Sequence, residues 1–334
     1  MKLTKIALGV ALAAGTVGAQ AAQILFFPHV VVSGTVTTIA SVIDTSGAGA
    51  GQYNQHWVYA GKNMLPTETA EEFNAKPCGE VDLWLPTSPY DIQSVDLGGV
   101  ISKAGDHGVL FNDPSVNNNW RAVMGTKSYE LAKAFLASGG AVGTRGYLIV
   151  DDPTSTTLEG YALVFDYKTG SAWGYKAEAA DDYASIDAHD VGTAFGAHVM
   201  PPKEVISRLM VTPVTPAAMD PTHADFGKLS VAVMPEAIGS GHIVDRDENP
   251  VSGPEAAEVV CVGTVDMWKL VSSGAQSFAP DGGWMQVVDA AGTLFTAAGG
   301  SVIYQLDFGG QGATTSTLNG VAYPGTWNNL MVVK

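Results

Sequence analysis

Positive charge is scarce in this sequence: 17 Lys and Arg stand against 33 Asp and Glu in 334 residues, a formal net charge of -16. Nucleic-acid binding runs on clustered Lys and Arg that displace counterions from phosphates, and no such cluster occurs, so that partner is excluded. Charge of either sign is also low, at 15% beside 46% hydrophobic residues. Disordered acidic chains and coiled coils need far more charge. With only 2 Cys the chain is no disulfide-dense miniature scaffold. Beyond the first 21 residues there is no apolar run of about 20, the length a helix needs to span a bilayer. The mature chain therefore has no transmembrane helix in prospect. The sequence also lacks G-x-S-x-G, H-E-x-x-H, a Walker loop, and a G-x-G-x-x-G placed after a strand, which are the short signatures of nucleophilic, zinc and nucleotide chemistry.

What is present starts with an address. Lys2 and Lys5 precede an apolar stretch from Ile6 to Val17, and Ala19-Gln20-Ala21 has the small-x-small pattern that signal peptidase cuts after. Residues 1–21 are expected to be a signal peptide and the mature chain to begin at Ala22. Export then places the protein in the periplasm, at the cell surface or outside the cell. Removing two lysines takes the net charge from -16 to -18.

The remaining periodicity is that of strands. Thr37, Ile39, Ser41 and Ile43 alternate with Val36, Thr38, Ala40 and Val42 in a β-branched run with apolar groups on both faces. Tyr161, Leu163, Phe165 and Tyr167 share one face, and after Lys168-Thr169-Gly170 the alternation resumes at Trp173 and Tyr175, which predicts a hairpin. Shorter runs recur at 145–151, 229–234, 258–268, 284–289, 301–307 and 329–333 between Gly, Pro, Asn and Asp clusters. One helix is predicted, over 127–138, with Leu131, Ala132, Phe135 and Leu136 on a face and Gly139-Gly140 ending it. The fold class is all-β.

The chain also resembles itself. Residues 81–111 align without gaps to 265–295, sharing Val81/Val265, Asp82/Asp266, Trp84/Trp268, Gly98/Gly282, Gly99/Gly283 and Leu110/Leu294 among others. This predicts two tandem immunoglobulin-like β-sandwiches related by duplication. Repeat 1 covers 22–176 and includes the helical insertion, 177–202 is an acidic linker ending in Pro201-Pro202, and repeat 2 covers 203–334. A single larger sandwich or barrel is the alternative.

Three groups of residues are candidates for chemistry. Two cysteines in an exported chain permit one intrachain bridge, Cys78 to Cys261, against the alternative of two separately buried thiols. Asp245, Asp247 and Asn249, with Glu255 nearby, resemble the start of an oxygen-ligand loop, for which calcium is the cofactor. Pro250 stands where the EF-hand turn wants Gly, and Ala256 where it wants Glu, so a plain acidic hairpin is the competing reading. Tyr53, Trp57 and Tyr59 share one face of a strand. They read first as core, and as a sugar-stacking stripe if exposed.

Together these features describe an exported, non-catalytic structural or interaction protein whose partners are itself or other surface proteins, associating through open strand edges. The alternatives are a carbohydrate- or calcium-dependent adhesion module and a hydrolase with a carboxylate-lined cleft between the repeats, since two catalytic carboxylates leave no sequence trace.

Overall fold

The computed structural model of the chain describes residues 23–32, 36–45, 52–59, 79–86, 89–97, 109–111, 144–153, 155, 157–166, 171–186, 195–201, 205–214, 219–223, 230–277, 279–289, 300–309, 315–318, 321–324 and 332–333. The expected signal peptide, the helix over 127–138, and Cys78 lie outside them.

The first half contributes β1 (Ile24–Val32), β2 (Val36–Asp44), β3 (Gln52–Tyr59), β4 (Gly79–Pro86), β5 (Ile92–Asp96), β6 (Val109–Phe111), β7 (Thr144–Asp151), β8 (Leu158–Asp166), β9 (Ser171–Lys176) and β10 (Glu178–Ala180). The second half contributes β11 (Phe195–Val199), β12 (Val205–Val214), β13 (Ser230–Pro235), β14 (Ile243–Asp245), β15 (Pro250–Val251), β16 (Ala257–Val260), β17 (Gly263–Asp266), β18 (Gly283–Asp289), β19 (Gly300–Gly309), β20 (Thr315–Leu318), β21 (Val321–Pro324) and β22 (Val332–Val333). The described residues are thus mostly β-strand, all pairings are antiparallel, and helix is limited to single turns such as Ser273–Gln276. The strands of the hairpin predicted across 167–170 are paired, with Asp166 opposite Ser171 and Tyr161 opposite Lys176, and the turn itself lies outside the described residues.

Four sheets carry most of these strands. Sheet I runs β6-β5-β2-β8-β9 and sheet II runs β10-β1-β7-β3-β4. Sheet III runs β17-β12-β19-β22, and sheet IV runs β15-β14-β18-β13-β16 with β11 also on β18. Consecutive strands β1 and β2 lie in different sheets. An immunoglobulin order would seat the first two strands side by side, so the sandwich is not arranged in that order.

Burial patterns give the layering. Alternate residues of β1 enter two different cores: Leu25 and Phe27 pack with Ala40, Val42, Leu158 and Ala162 of sheet I, while Ile24 and Phe26 join a cluster containing Met210, Val302, Tyr304 and Leu306 of sheet III. β12 and β19 divide in the same way, with Leu209, Val211 and Ile303 packed on Phe195, Ala197, Val233 and Met285 of sheet IV. The layers therefore stack I, II, III, IV. A strand covered on both faces reads as a continuous apolar run, whereas a half-covered strand alternates. The described side chains of β1 are all buried, as are those of β7 from Arg145 to Val150, while β2 in outer sheet I alternates buried and half-buried. The continuous run ILFFPHVVV of β1 is thus the sequence mark of an inner layer.

This packing bears on the expected linker and cleft. Within 177–202, Glu178–Ala180 pairs with β1 and Phe195–Val199 pairs with β18. Between the two halves, the described residues form an apolar core. Direct bonds cross the same boundary: Thr212 donates to the Pro28 carbonyl, and the Tyr304 hydroxyl to Glu178 Oε1 at 3.1 Å.

Pro28 has no N–H to give a ladder, and β1 shifts register between Phe27 and Val30. The Tyr175 hydroxyl fills the gap, accepting the His29 N–H and donating to the His29 carbonyl. His29 itself stacks on Trp173. Burial, followed by the charge of Arg145, pushes its imidazole well below the usual histidine range, so it is neutral.

Candidate functional site

Each residue group singled out in the sequence has a place. Tyr53 and Trp57 are fully buried, the Trp57 indole N–H donating to Gln55 at 3.0 Å and the Tyr53 hydroxyl to the Asp91 carbonyl at 3.0 Å. Neither ring offers a face to a glycan, because odd positions of β3 point toward sheet I. For Tyr53 and Trp57 the core reading replaces the sugar-stacking one. The Tyr59 side chain lies outside the described residues.

The Asp245 loop is closed on itself. Asp245 Oδ1 accepts the backbone N–H of Asp247 at 2.9 Å and of Asn249 at 2.8 Å, and the Asn249 amide reaches both carboxylate oxygens. These bonds, the Asn249 backbone first, hold the Asp245 carboxyl below its ordinary value. Glu248 takes the left-handed conformation, φ 67°, that the tight turn demands. Asp247 and Glu255 do not join Asp245: among the described residues no group of three His, Cys, Asp or Glu side chains is placed to share a metal ion. The loop borders an open hollow of about 700 Å³ with Ser252, Gly253, Ser272 and Ala275. Cys261 is buried in the core between sheets II and III.

The densest polar constellation was not singled out from sequence. His56 on β3 puts Nδ1 2.9 Å from Asp82 Oδ1 on β4 and Nε2 3.3 Å from Asp151 Oδ2 on β7. Asn54 donates to Asp151 Oδ1 at 2.8 Å and the Tyr183 hydroxyl to Asp151 Oδ2 at 2.8 Å. Register explains the convergence, since His56 lies opposite Asp82 and Asn54 opposite Asp151. Burial alone would raise the Asp151 carboxyl. Bonds from His56, Asn54 and Tyr183 outweigh it and hold the group below 3.8. With carboxylates at both ring nitrogens, only the doubly protonated imidazole satisfies every contact.

No protein family profile, curated protein or solved structure matches the chain. The geometry is therefore read on its own terms. The His56 ring has a carboxylate at each nitrogen. What the cluster does is tie β3, β4, β7 and the turn at Tyr183–Ser185 together at one end of sheet II. A related pair, His198 Nε2 to Asp307 Oδ2 at 2.6 Å, ties the edge strand β11 to β19, while Gln305 donates to both Asp307 and the His198 carbonyl. Among the described residues, no helix is long and apolar enough to cross a membrane.

Proposed function

We propose that the chain is an exported structural or interaction protein built from two copies of one β-sandwich, and that its work is association rather than catalysis. The observation that carries the reading is the matching strand order of the two halves. β1 pairs with β7 as β11 pairs with β18, β3 with β7 as β13 and β14 with β18, and β3 with β4 as β13 with β16 and β14 with β15. In the facing sheets β2 pairs with β5 and β8 as β12 pairs with β17 and β19.

Residue-level detail supports a duplication in this register. The Val31 N–H donates to Thr38 Oγ1 at 2.9 Å, and the Met200 N–H to Ser207 Oγ at 3.2 Å, each spanning seven residues between the first two strands of its half. The same shift carries His29 to His198. Ile39 stands opposite Asp96 as Arg208 stands opposite Asp266. The equivalent motifs are then Ser94-Val95-Asp96-Leu97 and Thr264-Val265-Asp266-Met267. The gapless alignment of 81–111 with 265–295 had matched the other Val-Asp pair, at 81–82, which sits on β4 and has a different partner.

A bridge between Cys78 and Cys261 belongs to the same reading. Cys261 is buried in the same core cluster as Val58, whose partner across the ladder is Glu80, two residues past Cys78 in the sequence. Among the described residues there is no free thiol.

Fractionation with mass measurement of the mature protein tests the proposal. A chain starting at Ala22 outside the cytoplasm, with a mass by light scattering that rises with concentration, is the expected result. A cytoplasmic chain retaining residues 1–21 overturns it.

A further inference from the structure

Resting on the duplication just proposed, we infer that the outer faces of sheets I and IV are complementary docking surfaces, and that copies of this chain stack head to tail, sheet IV of one on sheet I of the next.

The layer order leads to this. Sheet I corresponds to sheet III and sheet II to sheet IV, because the strand containing Thr38 belongs to sheet I and the one containing Ser207 to sheet III. The four layers therefore repeat one two-sheet unit in the same sense. The internal contact, II on III, is a tail face meeting a head face. It uses one side of each repeat and turns the opposite side of each outward: the outer face of sheet I, equivalent to the covered face of III, where Thr37 and Asp96 are buried while Tyr161 on β8 is open, and the outer face of sheet IV, equivalent to the covered face of II. A contact between two different surfaces that repeats without closing generates an open chain.

The side chains on the open faces match those on the covered ones. On β19, Tyr304 and Leu306 are buried against sheet II, and the strand reads Tyr304-x-Leu306-x-Phe308. On β8 the equivalent positions are Tyr161-x-Leu163-x-Phe165, the same three residue types. Register fixes the match: Ser41, Ile39 and Thr37 face Tyr161, Leu163 and Phe165 as Met210, Arg208 and Ile206 face Tyr304, Leu306 and Phe308. Tyr304 is 3% exposed and Tyr161 39%. On the other side, Gly146-Tyr147 of β7 corresponds to Gly283-Trp284 of β18, since Val30 faces Gly146 and Val199 faces Gly283. Tyr147 is 2% exposed in the internal contact, and Trp284 is 41% exposed. Trp284 and Tyr161 are two of the three large apolar side chains left open among the described residues, and each sits where its counterpart is covered. A large ring at the centre of a desolvated contact is the usual energetic anchor of an interface.

The occupant is a second copy of this chain, because the only surface known to fit the sheet III type of face is the sheet II type that the chain itself presents. The acidic net charge, -16 for the full sequence and two units more negative without Lys2 and Lys5, opposes stacking, so salt favours it.

The test uses the full mature chain with Tyr161→Glu, which spoils the sheet I face, and Trp284→Glu, which spoils the sheet IV face. Both positions are solvent-accessible, and unchanged thermal unfolding of each variant verifies the fold. Sedimentation in about 0.3 M salt is expected to give wild-type mass that grows with concentration, and each variant is expected to associate roughly 30-fold more weakly. Mixing the two variants is expected to restore dimers and nothing larger, because one intact face of each kind remains. Wild type that stays monomeric overturns stacking and the self-association reading together. Assembly that both variants leave intact overturns stacking alone and leaves association through strand edges. Either variant forming dimers with itself at wild-type affinity also overturns the head-to-tail geometry.

Discussion

Thr38 and Val31 are locked to each other in both directions: Thr38 Oγ1 accepts the Val31 N–H at 2.9 Å and donates to the Val31 carbonyl at 2.8 Å. Thr38 is completely buried, so neither backbone group of Val31 has water as a substitute. The pair fixes the crossing from β1 in sheet II to β2 in sheet I. Thr38→Val keeps the shape and removes both bonds. It is expected to lower unfolding free energy by about 1 to 3 kcal/mol in urea titrations. Ser207→Ala removes the corresponding bond in the second half and is expected to cost about 1 kcal/mol or somewhat more.

The His56 cluster makes stability depend on acid. The folded Asp151 carboxyl titrates below the ordinary 3.8, so its contribution is complete at neutral pH and is lost as pH falls through the lowered folded value. Asp151→Asn keeps the Tyr183 contact and deletes the charge. The variant is expected to be less stable than wild type at pH 7 by about 1 to 2 kcal/mol, a figure kept low because the group is partly solvated. Chemical denaturation at a series of pH values is expected to show the gap closing below about pH 4. A gap that stays constant down to pH 2 contradicts the assignment.

The individual strands and the hairpin at 167–170 were legible because alternation and turn chemistry are local. The layering was not, because whether β1 is covered on one face or two depends on β12, far along the chain. Under the proposed duplication, the register read from sequence is not the one the ladders give. Val-Asp occurs at 81–82 and at 95–96, and the Trp shared by Trp84 and Trp268 drew the alignment to the former, whereas ladder partners select the latter. The His56 cluster left no motif, since its members come from three strands and the turn at Tyr183–Ser185 and meet only in the fold. The Tyr-x-Leu-x-Phe run was readable on β8. Its significance rests on the second run on β19, which pairing alone brings into correspondence.

A close approach of the first two sheets makes a sharp test of the I–II packing. A Cβ built on Gly160 of β8 would lie 2.5 Å from Phe27 Cζ and 2.9 Å from Leu25 Cδ1. Gly160→Ala is therefore expected to destabilise by about 1 to 3 kcal/mol through overpacking. Adding Phe27→Leu removes the clashing ring edge. In a double-mutant cycle the combined cost is expected to fall below the sum of the single costs by about 0.5 kcal/mol or more, the sign of direct coupling. Strict additivity would mean that the sheets are farther apart at this point than described.

The proposed bridge between Cys78 and Cys261 would close most of the chain into one loop. Equivalent positions of two repeats would meet only near a symmetry axis, but in the register proposed for the duplication the two cysteines are not equivalent. There Cys261 corresponds to Asp91, three residues before Ser94, and Cys78 has a different counterpart. The two cysteines are then unrelated positions. Closing so long a loop restricts the unfolded chain, and the entropy model assigns that restriction about 4 to 5 kcal/mol. Mature protein denatured without reductant is expected to resist alkylation at both cysteines and to run faster on a gel than the reduced form. Reduction is expected to lower the urea midpoint, and Cys78→Ser with Cys261→Ser to lower it equally and to abolish the response to reductant. Two alkylated thiols in the unreduced protein would refute the bridge while leaving the duplication and the stacking untouched.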